Sequence, residues 1–151
     1  MAQNQPIWVC EDDCVFLVER HVLDATIDAF MKSDAEVLNL GYNARKCIAY
    51  TGSLKRTLDC QTTSSYIAKP SIHNKLIDLW ESVVLCRKTK SEHALYKQFK
   101  ALPIRRYDFY TADQCWKVLQ QDHIFVLPRK RYVIQRKSYS DIEKKITYYA
   151  K

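Results

Sequence analysis

Ile7-Trp8-Val9-Cys10-Glu11-Asp12-Asp13 is the stretch on which the fold turns. A four-residue apolar run that stops at three consecutive carboxylates reads as a buried strand with an acidic C-terminal end. Downstream, Val22, Leu23, Ile27 and Phe30 recur at three- and four-residue spacing, which predicts an amphipathic helix over 18–31. Glu36 to Leu40 follows as a second strand closed by Gly41. Strand, helix, strand with short joints is the βαβ pattern, so an α/β fold with a mostly parallel sheet is expected.

Beyond Gly41, Cys47 to Tyr50 reads as a short strand and Thr62 to Ala68 as a stronger one. Pro70 opens a helix with Ile72, Leu76, Leu79, Trp80 and Val83 on one face. A further helix is expected over 93–102. Thr111 to Gln114 forms a capping box that predicts a helix over about 112–120, and Ser140 to Glu143 forms a second. Ile124 to Leu127 and Tyr132 to Ile134 read as strands around the basic turn Arg129-Lys130-Arg131.

Composition sets the outer limits. The 151 residues suit one domain, and 47% hydrophobic residues can form a core. Two glycines, Gly41 and Gly52, are too few for a glycine-rich phosphate cradle. No apolar run approaches a membrane span, and the opening residues do not read as a targeting peptide, so a cytoplasmic protein is expected. The six cysteines show neither CxxC nor zinc spacing and read as buried reduced thiols. Charge is lopsided: residues 1–70 hold 7 Lys and Arg against 9 Asp and Glu, and residues 71–151 hold 17 against 8. The basic half calls for an anionic partner, either nucleic acid or a phosphorylated molecule.

Three adjacent carboxylates repel one another and favour a hard cation such as Mn²⁺ or Mg²⁺, which keeps open positions for a diphosphate. The alternative is a solvated acidic turn or a helix cap. With its hydrophobic lead, the run resembles the strand-plus-EDD motif of glycosyltransferase family 25, the lipopolysaccharide and collagen galactosyltransferase relatives. Val37 to Tyr42, Thr62 to Lys69 and Ala112-Asp113 are similar, in order, to three further segments of that family. The segments Asp113 to Gln120 and Gln135 to Glu143 resemble members from large DNA viruses and some bacteria, which would place the protein in a host cytoplasm.

The resemblance implies a GT-A-like, partial Rossmann-type mixed sheet flanked by helices. It implies a metal-dependent enzyme that transfers a sugar from a nucleoside-diphosphate donor to a glycan or protein hydroxyl. The family sets on the order of 60 residues ahead of the acidic motif; ten precede it here. Residues 1–151 are therefore expected to be one domain matching the C-terminal two thirds of a GT-A fold. Such a chain lacks the nucleotide-binding half, is weakly active alone and is prone to homo-oligomerise along its open sheet edge. Carried over by position, Glu11 and Asp13 are the metal residues, Asp12 supports them, and Asp113 is either the catalytic base for the acceptor or an ordinary first-turn aspartate.

Arg129, Lys130, Arg131 and Arg136, with Lys137, are candidate phosphate-binding residues, or a solvated surface. Tyr42 and Tyr66, with Tyr110, are candidates for stacking on sugars. His123 could complete the metal shell or be structural, and Trp80 and Trp116 read as core. Two other readings stand beside the enzyme: a basic nucleic-acid-binding module and an inactive sugar-binding remnant. No nucleic-acid-binding motif is visible and the acidic run repels phosphates, so nucleic acid is not the expected partner.

Overall fold

The computed structural model describes residues 4–89, 111–136, 138–140 and 145–147. It is a mixed α/β structure. Strands β1 (Ile7–Cys10) and β2 (Cys14–Phe16) flank the acidic turn, and helix α1 (Arg20–Lys32) follows. A long hairpin comes next, β3 (Val37–Ala49) and β4 (Leu54–Ala68), then helix α2 (Pro70–Thr89). A segmented helix is built from α3 (Ala112–Cys115), a 3₁₀ turn (Trp116–Val118) and α4 (Leu119–Asp122). Strands β5 (Phe125–Pro128), β6 (Val133–Gln135), β7 (Ser138–Ser140) and β8 (Lys145–Thr147) complete the order. No helix among the described residues is long and apolar enough to cross a membrane.

The main sheet has the order β1-β4-β3-β5, with an extra β4–β5 pairing where the far end of the hairpin folds back. Three of its pairings, β1–β4, β3–β4 and β4–β5, are antiparallel, and β3–β5 alone is parallel. The expectation of a mostly parallel sheet is therefore corrected. β1 and β3 do run in the same direction, as a βαβ unit requires, but β4 enters antiparallel between them. Nothing in the local pattern of either strand encodes that insertion.

Alternation along the strands divides the core between the two sheet faces. Val37, Tyr66, Ala68 and Phe125 pack with Ile72, Leu76, Leu79 and Val83 of α2 and with Cys115 and Trp116. Leu38, Leu40, Ile67 and Val126 pack on the opposite side with Leu23 and Phe30 of α1. Trp116 is fully buried, its ring 5.3 Å from Tyr66 and 5.4 Å from Phe125, both edge-on. The C-terminal end of α1 is held from outside: Lys69 Nζ donates to Ser33 O at 2.6 Å and lies 4.7 Å from the Phe30 ring centre. A cation there offsets the negative end of the helix.

Several expectations change in detail. β1 is a strand, but all four of its residues are exposed because it lies at the sheet edge beside β4 alone. The 112–120 helix forms in three short pieces, and Thr111 makes no capping hydrogen bond through its side chain. Ser140, the first residue of the second capping box, lies in a strand and pairs with Lys145 where β7 and β8 run antiparallel. The expected helix over 93–102, Tyr110, Lys137 and residues 141–143 of the second capping box lie outside the described residues. Cys60, Cys86 and Cys115 are buried as expected, whereas Cys10 and Cys47 are exposed.

Candidate functional site

Between Gly41 and Asn43, β3 advances two residues while β4 goes from Ser65 to Gln61, so the ladder slips and β4 bulges outward. Bulges bend a strand and re-aim its side chains. Thr62 in the bulge has φ 85°, a left-handed backbone in which a β-branched residue is strained. Gly41 faces the bulge, and a Cβ there would collide with Ser64 Oγ and come within 3.3 Å of the Val133 carbonyl. Close approach is what requires glycine at this position.

The bulge forms one wall of a cleft of about 540 Å³. Glu11 and Asp113, far apart in sequence, both line it, together with Tyr42, Arg131, Gln61 and Thr62. The acidic turn reaches the cleft because Glu11 N donates to Ser64 O at 2.8 Å, extending the β1–β4 ladder by one bond. Arg136 N donates to Asp13 O at 2.8 Å and fixes the other side of the turn. Gln135 Nε2 donates to Glu11 Oε2 at 2.6 Å. Partial desolvation, then the charges of Asp13, Asp113 and Asp12, push the Glu11 carboxyl up, outweighing the Gln135 bond. Asp113 and the acidic run thus share one electrostatic site.

Not every sequence candidate reaches it. Asp13 is half-buried outside the cleft lining, and its Oδ1 is buried with no hydrogen-bond partner. Asp12 is exposed in the turn. Of the basic candidates, Arg131 lines the cleft, whereas Arg129, Lys130 and Arg136 are exposed and outside its lining. Tyr42 lines the cleft, but its hydroxyl donates to Pro128 O at 2.8 Å, and burial pushes the phenol up to about 12. It offers a ring rather than a free hydroxyl. Tyr66 is 5% exposed and packs between Trp80 and Trp116, outside the cleft lining. His123 pairs with Glu36 at 2.8 Å at the start of β3, so it serves that contact and not the acidic turn.

A divalent cation suits part of this arrangement. The orphaned Asp13 Oδ1 and the raised Glu11 are what carboxylates show when a positive charge would stabilise them. Among the described residues no three His, Cys, Asp or Glu side chains are grouped to hold an ion. Glu11 and Asp13 would thus be two ligands, with water or ligand oxygens supplying the others.

Three functional-looking residues escaped the sequence reading. Gln135 steadies Glu11, Thr62 carries the strained backbone, and Gln61 joins the cleft wall to α3 through Gln114 Nε2 at 2.9 Å. The run Thr62-Thr63-Ser64-Ser65, small and hydroxylated within a strand, was the available signal for a bulge. No protein-family model matches the sequence, and no curated protein matches it.

Proposed function

We propose that the chain is a glycosyltransferase-like protein of GT-A type, which moves a sugar from a nucleoside diphosphate to a hydroxyl acceptor. The observation that supports this most is the meeting of Glu11 and Asp113 in one cleft beside Arg131. In this reading Glu11 and Asp13 hold Mn²⁺ or Mg²⁺, which when bound neutralises charge on the departing diphosphate. Gln135 orients Glu11, and Arg131 offers charge-assisted hydrogen bonds to phosphate oxygens. Asp113 accepts the acceptor's hydroxyl proton as the oxygen bonds to the anomeric carbon and the sugar–phosphate bond breaks.

Titration calorimetry with Mn²⁺ and a panel of nucleoside diphosphates tests the proposal. Weak binding of metal alone and at least about ten-fold tighter binding with a diphosphate are expected, since phosphate oxygens replace water on the ion. Asp13→Ala should abolish the gain. Equal binding by that variant, or steeply salt-dependent binding of nucleic acid that a diphosphate does not displace, would reject the reading.

A further inference from the structure

Among the described residues, Lys117 is the one charged side chain buried with the core, 4% exposed. A buried ammonium is costly unless it is paired and hydrogen-bonded, and an apolar side chain fills such a position more cheaply. Lys117 Nζ lies 2.9 Å from Asp59 Oδ1, an ion pair whose angle is poor for a hydrogen bond. The same nitrogen donates to Gln61 Oε1 at 3.2 Å. Gln61 Oε1 also accepts Gln114 Nε2 at 2.9 Å.

Attachment of the segmented helix to β4 does not depend on this charge. Trp116 Nε1 donates to Cys60 O at 3.0 Å, and Gln120 both donates to Cys60 O and accepts Cys60 N at 2.8 Å. What the charged tie adds is its place. Gln61 lines the cleft and precedes the strained Thr62, while Gln114 follows Asp113 at the helix start.

The geometry points to Lys117 as a positioning residue: paired with Asp59, it holds Gln61 so that Gln114, and Asp113 next to it, keeps its place across the cleft from Glu11. The catalytic meaning of Asp113 rests on the proposed function; the positioning does not. Neither Lys117 nor Asp59 lines the cleft, so changing them alters placement without removing a ligand contact.

The test uses Lys117→Met with Asp59→Asn, which leaves no unpaired buried charge, and Gln61→Leu, which removes the shared acceptor and keeps the ion pair. Gln61→Glu, which retains an acceptor, is the conservative control. Hydrogen exchange is read at the amides of Gln114 and Cys115, which bond Thr111 O at 3.1 and 3.0 Å. Exchange there should speed up about ten-fold or more in the double variant and in Gln61→Leu. It should stay near wild type in Gln61→Glu, and the Leu38 and Ile67 amides should not change in any of them. If the double variant does not fold, Gln61→Leu decides by the same measurement. Metal-dependent cleavage of a nucleotide sugar by the double variant should show kcat down about ten-fold or more, with KM within about two-fold. Unchanged exchange at Gln114 and Cys115 overturns the positioning role. A wild-type chain that cleaves no nucleotide sugar counts against the proposed function and leaves the exchange result to decide the positioning.

Discussion

β3 and β4 meet twice in different styles. From Val37 to Asn39 against Tyr66 to Ala68 the ladder is regular, and all six residues are buried. A few residues further on, Gly41 to Asn43 against Gln61 to Ser65, the register slips, one backbone is strained, and side chains turn into a cleft. The same pair of strands builds the core in one half and the candidate site in the other. The difference shows that register, more than residue type, decides whether a strand stabilises or presents.

If the regular half carries the stability, the largest loss should come from its packing. Trp116→Ala removes the ring between Tyr66 and Phe125 and should cost about 3–5 kcal/mol in urea unfolding. A loss below about 1 kcal/mol would mean the core is not centred there.

Gly41→Ala probes the boundary between the halves. The added methyl meets Ser64 Oγ and the Val133 carbonyl, so about 1–3 kcal/mol should be lost. Ser64→Ala in the same chain should return part of it, measured as a double-mutant cycle. Strict additivity would show that the Ser64 hydroxyl is not what demands glycine.

Thr62→Gly addresses the bulged half alone. Release of the left-handed strain, less the extra freedom glycine brings to the unfolded chain, should leave a gain of about 1 kcal/mol. Lower stability would place Thr62 with the regular half.

The smallest effect belongs to Glu11. Its carboxyl titrates above its ordinary value in the folded chain, so folding binds a proton over that window and stability falls as pH rises from about 4.5 through the raised midpoint. Glu11→Gln should therefore stabilise the metal-free protein near neutrality, by less than about 1 kcal/mol because the residue is exposed. The gain should vanish at pH 4, and thermal melts at the two pH values check the sign.

The regular half was legible. Apolar spacing in 37–40 and 72–83 and the punctuation at Pro70 led to β3, α2 and the faces they bury. The long hairpin was not, because Arg45 to Ala49 is exposed on both faces and shows no two-residue alternation. β1 was found as a strand and misjudged as buried, since an apolar run does not reveal whether its strand is central or at an edge. At the site, Glu11 stood out by the chemistry of the carboxylate run, and Asp113 only through the family resemblance. Gln135 and Thr62 did not, because the first acts through the β2–β6 pairing that brings it beside Glu11 and the second through a bulge defined only by how β3 and β4 align.

The Glu11–Gln135 hydrogen bond spans 124 residues of chain. The acidic turn leaves the ribosome before its surroundings, because the backbone at Ser64, then Asp113, then Gln135 must still be synthesised. Contacts so distant in sequence form slowly, after local hairpins and helices. Assembly of the cleft is therefore expected to come late in folding, after β3 and β4 have paired. A pulse of hydrogen exchange during refolding would see Leu38 protected well before Glu11.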